Sequence, residues 1–285
     1  MGLFTPNYTR EGPGVEKNAP QKKRFFLFFD IYFRKFWKIC QLNLLYILFF
    51  LPAAVGAYHF LSGGNAVLSA LLALITLVLY GPATAGLSYV LRNFAREEHA
   101  FIWSDFKDNL KSNFKQSAIY GTCFLIITVM MSVSAYFYYL NSASNKVLLA
   151  PMILCLACLL ILCFMDFYMY TMIVTFRLTL RQMLKNAFIF SIVGVFSNLL
   201  TFLITGVITV LCVLFFPISL LLVIPIVPAT TRFIIAFNTY PKIQKYMIDP
   251  YNAEHGGDTP AEDEEERVFS DERLIPPADD DNAAG

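Results

Sequence analysis

The chain is expected to be an all-α membrane protein of about six transmembrane helices, built as three tandem repeats of a basic amphipathic elbow plus a helical hairpin. Three observations lead there. The composition is 57% apolar and only 15% charged, outside the range of soluble globular chains. Apolar runs long enough to cross a bilayer, which takes about 20 residues, recur along the sequence. Between alternate runs stand short segments in which aromatic or leucine positions alternate with lysine and arginine.

In chain order, residues 1–20 hold Pro6, Pro13 and Pro20 and are expected to form a flexible tail. Residues 21–248 form the membrane domain. The stretch Gln21 to Lys38 interleaves aromatics with cations, as an interfacial helix on anionic lipid does. Nucleic-acid binders share that interleaving, but a span follows at once, so no nucleic-acid partner is expected. Residues 1–24 lack the apolar core of a secretory signal, and the first span is expected to act as the insertion signal. Span one runs from about Ile39 to Tyr58, span two from about Ala66 to Tyr89, span three from about Ser117 to Leu140, and span four from about Val147 to Thr175. The apolar run from Asn186 to Phe237 is too long for one crossing. Pro217, Pro225 and Pro228 divide it into about Ala187 to Val210 and Leu214 to Ala236; one span plus a re-entrant piece is the competing division. Residues 249–285 carry 13 acidic and 2 basic side chains and too little apolar matter to pack, so a disordered acidic tail is expected.

The organising stretch is Gly81 to Gln116. Gly81, Pro82 and Thr84 close span two with a helix kink and small residues that admit a neighbouring backbone. Phe106, Leu110 and Phe114 then recur every four residues, each followed by a lysine (Lys107, Lys111, Lys115). Ser104-Asp105 reads as the start signal of this elbow helix. Phe176-Arg177, Leu180-Arg181 and Leu184-Lys185 copy the register 70 residues on, and Phe33-Arg34 and Trp37-Lys38 carry it near the start. Pro82-Ala83-Thr84 returns as Pro228-Ala229-Thr230. The candidate helix-kink and packing positions are therefore Gly81, Pro82, Thr84, Pro228 and Thr230. The candidate lipid-headgroup contacts are Arg34, Lys38, Arg92, Lys107, Lys111, Lys115, Arg177, Arg181 and Lys185, and the implied partner is a bilayer with anionic headgroups.

The run Gly81-Pro82-Ala83-Thr84-Ala85, then Tyr89-Val90-Leu91-Arg92, then Asn113-Phe114-Lys115-Gln116, resembles the YesL family of multi-pass membrane proteins of Gram-positive bacteria. Asn43 to Leu48 before Leu51-Pro52 fits the family's first span. The resemblance covers roughly residues 25 to 245. It implies a protein without assigned biochemistry and an accessory role beside carbohydrate uptake.

Met1 to Ile248 carry 20 basic and 8 acidic side chains, and the basic ones cluster before span one, between spans two and three, and between spans four and five. By the positive-inside rule both termini are expected in the cytoplasm of a bacterial plasma-membrane protein. Lys242, Lys245 and Arg232 add to the inner charge. Asp166 is the one acid deep inside a span. Such a carboxylate costs roughly 2.5–3.5 kcal/mol to insert, so it either contacts a cation, proton or sugar hydroxyl, or is packed and hydrogen-bonded to Tyr or Thr groups such as Tyr170. Cys155 and Cys158 form a C-x-x-C inside an apolar run and read as small packing residues. No nucleophile elbow, phosphate loop or metal motif occurs, so no cofactor, metal or catalytic residue is expected. The leading expectation is a protein accessory to transport or regulation, with a solute-transporter or sensor complex as partner. A small secondary transporter using Asp166 is the alternative, and a membrane-bound lipid-acting enzyme the third.

Overall fold

A computed structural model of the chain describes residues 23–254. The expected N-terminal tail and residues 255–285 of the acidic tail lie outside the described residues. The described residues form helices α1 (Arg24–Arg34), α2 (Phe36–Ile47), α3 (Leu51–Leu61), α4 (Ala66–Ala95), α5 (Ile102–Ser112), α6 (Phe114–Asn141), α7 (Leu149–Ile173), α8 (Leu180–Val193), α9 (Val195–Leu214), α10 (Leu220–Val223), α11 (Val227–Ile243) and α12 (Asp249–Glu254). A 3₁₀ turn, Leu48–Phe50, joins α2 to α3 where Pro52 starts the next helix. Among the described residues five segments are long and apolar enough to cross a membrane: Phe36–Leu61, Ala66–Ala95, Phe114–Asn141, Lys146–Ile173 and Val195–Leu214. The all-α membrane architecture expected from composition is what the chain adopts.

Three times an amphipathic helix passes into a span through a single residue. Lys35 (φ −100°, ψ 6°) links α1 to α2, Asn113 (φ −100°, ψ 9°) links α5 to α6, and Gly194 (φ −96°, ψ 15°) links α8 to α9. One residue in this bridge region interrupts the helical ladder and redirects the axis without a loop. The position of the third elbow differs from the sequence expectation. Thr179 and Gln182 form a capping box, so the helix starts at Leu180 and Phe176-Arg177 precede it. The break residues Asn113 and Gly194 stand 81 apart, not 70, and none of the expected registers lies on one helix: Phe176-Arg177 precede α8, Phe114-Lys115 belong to α6 and not to α5, and Lys35 separates Phe33-Arg34 from Trp37-Lys38. The start of α5 differs too. It begins at Ile102, and the Asp105 carboxylate accepts the Phe101 N–H from within the first turn, at 2.8 Å.

α4 is the hub. It packs against α2, α3, α5, α6, α7 and α11. At Gly81 it crosses α6 so closely that a Cβ there would collide with the Ser117 carbonyl oxygen, while a Cβ on Gly121 would lie 2.7 Å from the Gly81 Cα. In lipid, water does not drive helices together, and close backbone approach through small residues supplies the contact instead. Gly81→Val is expected to lower the thermal midpoint in mild detergent by the equivalent of about 1–3 kcal/mol through overpacking. Gly206→Val, in open space, should leave that midpoint in place, and equal midpoints for the two variants would refute the crossing.

Burial is concentrated toward one end of the bundle. Ala83 to Phe94 of α4, Phe164 to Ile173 of α7 and Ala229 to Ile243 of α11 supply most of the two buried clusters. The opposite ends of α3, α6, α7 and α9 present Val55, Val133, Leu154 and Val210 outward, as lipid-facing surfaces do.

The expected sixth crossing, Leu214 to Ala236, is not one helix. α10 is one turn long, and α11 starts only at Val227. Pro225 lacks an N–H and Pro228 sits in the first turn of α11, so the ladder cannot run through. Inside a membrane an interrupted backbone must find partners within the protein. Asn43 of α2 supplies them. Its Nδ2 donates to the carbonyls of Val223 (3.2 Å) and Ile224 (2.7 Å), and its Oδ1 accepts the Ala229 N–H at 2.7 Å.

Candidate functional site

The apolar part of the chain holds one acid and one cation that can meet. Asp166 is the sole carboxylate residue between Asp108 and Asp249, and Arg232 the sole Lys or Arg between Lys185 and Lys242. α7 presents Asp166 and α11 presents Arg232. Arg232 Nη2 lies 2.9 Å from Asp166 Oδ2, and the Tyr120 hydroxyl of α6 donates to Oδ1 at 3.3 Å. Arg232 also donates to the Tyr80 hydroxyl of α4 at 3.3 Å and lies 5.0 Å from the Tyr170 ring centroid. Tyr170 packs edge-on against both Tyr80 and Tyr120. Four helices thus converge on one ion pair inside a cage of three tyrosines. Both carboxylate oxygens are engaged, which is the geometry a buried pair needs to offset its desolvation. The Tyr170 hydroxyl, expected to bond Asp166, is instead buried without a partner, against Gly121. Arg232, expected among the inner-end charges, lies in the bundle because α11 starts deep and carries it there.

The two Pro-Ala-Thr sites act alike. Thr84 meets the Tyr46 hydroxyl at 3.1 Å, and Thr230 meets the Tyr32 hydroxyl at 3.0 Å. Gly81, Pro82 and Thr84 are buried, and Pro228 opens α11.

Of the candidate headgroup contacts, Arg34, Lys38, Lys107, Lys111, Lys115, Arg177, Arg181 and Lys185 are exposed. Arg34 is also tied to Glu97 and Asp30. Arg92 departs from the group. It is buried, donates from Nη1 to the Val174 carbonyl (3.1 Å) and the Thr175 hydroxyl (2.9 Å), and holds Asn93 Oδ1 with Nε and Nη2. A cation at the C-terminal carbonyls of α7 also complements the helix dipole. Arg92 is therefore unavailable to a headgroup. His59 Nε2 accepts the Asn65 N–H at 3.0 Å in the turn between α3 and α4.

A second polar cluster joins side chains that the sequence does not connect. Asn198 Oδ1 accepts from the Tyr168 hydroxyl (2.6 Å) and from Lys242 Nζ (3.2 Å), and Lys242 also donates to Tyr168 at 3.0 Å. Asn198 Nδ2 returns to the Phe190 carbonyl at 3.1 Å, across the Gly194 break. Lys242 lies beyond the apolar run, at the C-terminal end of α11. Burial, reinforced by the nearby Arg24 charge, pushes it down to about 8. Below that value both states are protonated and the cost of burying the charge is fully present. Between about 8 and the ordinary lysine value near 10.5, the unfolded chain holds the extra proton, so stability rises with pH. The midpoint of the wild-type chain is expected to climb across that window relative to Lys242→Met. Parallel curves for the two would contradict the assignment.

Among the described residues no group of three or more His, Cys, Asp or Glu is placed to hold a metal. The fold and this interior define a multi-pass helical membrane protein in which Asp166 and Arg232 are paired within the bundle. Part of the chain is similar to an uncharacterised family: the description "Protein of unknown function, DUF624" matches residues 39–135, from α2 into α6. No curated protein matches the chain, and no solved structure does.

Proposed function

We propose that the chain is a non-enzymatic plasma-membrane protein that acts as an accessory to transport or regulation. The observation that carries this is the Asp166–Arg232 pair. The carboxylate that a transporter would need free is bonded on both oxygens by Tyr120 and Arg232, which favours a fixed scaffold over a moving ion site. The resemblance to the YesL family of Gram-positive bacteria supports carbohydrate uptake as the process. The unevenly packed bundle supports a partner within the membrane, because a second membrane protein fits the outward apolar surfaces as well as lipid does.

On this reading α10 and α11 together make a sixth, interrupted crossing, so that the lysines and arginines of the three elbows fall on one side, and the positive-inside rule supports a cytoplasmic location for that side and for both termini. The exposed elbow cations Lys107, Lys111, Lys115, Arg181 and Lys185 then face anionic headgroups.

A mild-detergent pull-down from native membranes, read by mass spectrometry, tests the reading. A solute-transporter permease or sensor recovered in stoichiometric amount is the expected result. Recovery of the protein alone, with solute flux in reconstituted vesicles that Asp166→Asn abolishes without unfolding the chain, would replace this reading with the transporter.

A further inference from the structure

A cleft of about 310 Å³ opens between α1, α9 and α11. Its walls are Phe25, Phe29, Leu200, Ile204, Ile234 and Phe237, and the volume is at the lower end of small-molecule sites. Arg24 lines one end of it, and Lys242 stands just beyond the residues lining that end. Arg24, on the rim, donates to the Phe237 carbonyl at 2.9 Å and lies 5.4 Å from the Phe237 ring centroid. Lys242 sits one helical turn past Asn238 and meets Asn198, itself one turn before Thr201; Asn238 and Thr201 both line the cleft. The partners of these two cations among the described residues are neutral oxygens and ring faces. The opposite end of the cleft, at Ile204 and Ile234, is wholly aliphatic.

We propose that this cleft is a built site for one anionic phospholipid, with an acyl chain along Leu200, Ile204 and Ile234 and the phosphodiester between Arg24 and Lys242. The polarity runs the right way. Arg24 opens the elbow helix α1 and Lys242 lies at the C-terminal end of α11, while the aliphatic walls of α9 and α11 lie toward the interior of the spans. Two neighbouring cations with neutral partners are an unfavourable arrangement that an anion relieves, and a phosphodiester supplies the charge where the acyl chain supplies the apolar fill. The depression of Lys242 by burial and by Arg24 agrees with an ammonium short of a counter-charge. The site is distinct from the cavity beside the elbow cations Lys115 and Arg177, whose lining includes Ser112, Asn113, Gln116 and Thr179 and so lacks a wholly apolar wall for an acyl chain.

The test is native mass spectrometry of the full chain in detergent, supplied with phosphatidylglycerol or phosphatidylcholine of matched chains. The wild type is expected to retain one phosphatidylglycerol in preference. Arg24→Gln and Lys242→Gln should each reduce that preference about fivefold, and together about 25-fold. Ile204→Trp keeps both cations and fills the aliphatic end, and it should reduce retention of both lipids. Lys107→Gln, outside the cleft, should retain the wild-type preference. Arg24 is exposed, so its variant is expected to fold normally. Unchanged preference in the Arg24→Gln chain, or unchanged retention in the Ile204→Trp chain, would overturn the proposal. Displacement of the lipid by millimolar inorganic phosphate would do so as well, because it would mean that the acyl chain contributes nothing.

Discussion

Arg232→Met is expected to destabilise the bundle by about 3–5 kcal/mol, the largest single effect in the molecule, because it leaves the Asp166 carboxylate buried without its cation. Tyr120, at 3.3 Å, is a neutral donor and cannot replace the guanidinium. Tyr80 would lose its bond to Arg232 as well. Asp166→Leu should cost a comparable amount for the converse reason, leaving an arginine enclosed by three tyrosine rings. The double variant Asp166→Leu with Arg232→Met removes both charges. It is expected to recover most of the loss, since replacing a whole buried pair by apolar groups is often neutral. Thermal unfolding of all four proteins in one detergent gives the coupling directly. If Arg232→Met unfolds at the wild-type temperature, the pair is not what fixes α11 against α7. If the double variant is no better than the worse single one, the cost lies in packing and not in the unpaired charge.

The second large effect is expected at Asn43. Asn43→Ala removes three hydrogen bonds that serve the interruption between α10 and α11. Each buried backbone group left unpaired costs about 1–3 kcal/mol. Water is scarce at that depth, so the loss should approach about 3–5 kcal/mol, reduced by whatever relaxation the break allows. Asn43→Asp is the sharper variant. An ionised carboxylate keeps an acceptor for the Ala229 N–H but offers no donor to the Val223 and Ile224 carbonyls. Hydrogen exchange separates this local effect from global loss. Amides from Ile226 to Thr230 should exchange faster in both variants, while those of α4 near Leu87 stay protected. Wild-type protection at Ala229 in Asn43→Ala would show that the break is held by other means.

The elbow cations and the interior polar groups differ in how far the sequence exposes them. Exposed lysines beside an apolar stripe announce themselves by spacing, and Lys107 and Lys111 of α5 lie on the outside as that spacing requires, while Lys115 is exposed on α6, beyond the Asn113 break. Arg92 has the same chemistry and a neighbouring position, yet it is buried. Nothing in its local sequence records that α7 ends beside it with unpaired carbonyls. The third elbow was misplaced for a related reason. The apolar-basic register from Phe176 is real in the sequence, but the Thr179–Gln182 capping box decides where the helix starts, and local hydrogen bonds at a helix end outweigh side-chain periodicity. The Asp166–Arg232 pair was half visible. A lone acid and a lone cation in apolar runs each need a counter-charge, and that need was legible; their meeting was not, because 66 residues separate them in the chain.

Composition and the length of apolar runs by themselves determined that the chain is helical and crosses a membrane, since lipid leaves the backbone few other ways to satisfy its polar groups. They also located five of the crossings and the cations of the elbows. Tertiary structure alone decided that the sixth segment is interrupted and clamped by Asn43, that Arg92 caps α7, and that Lys242 meets Tyr168 and Asn198. These depend on which helices become neighbours. That is set by close backbone contact at sites such as Gly81 and Gly121 and by long-range hydrogen bonds, neither of which leaves a period in the sequence.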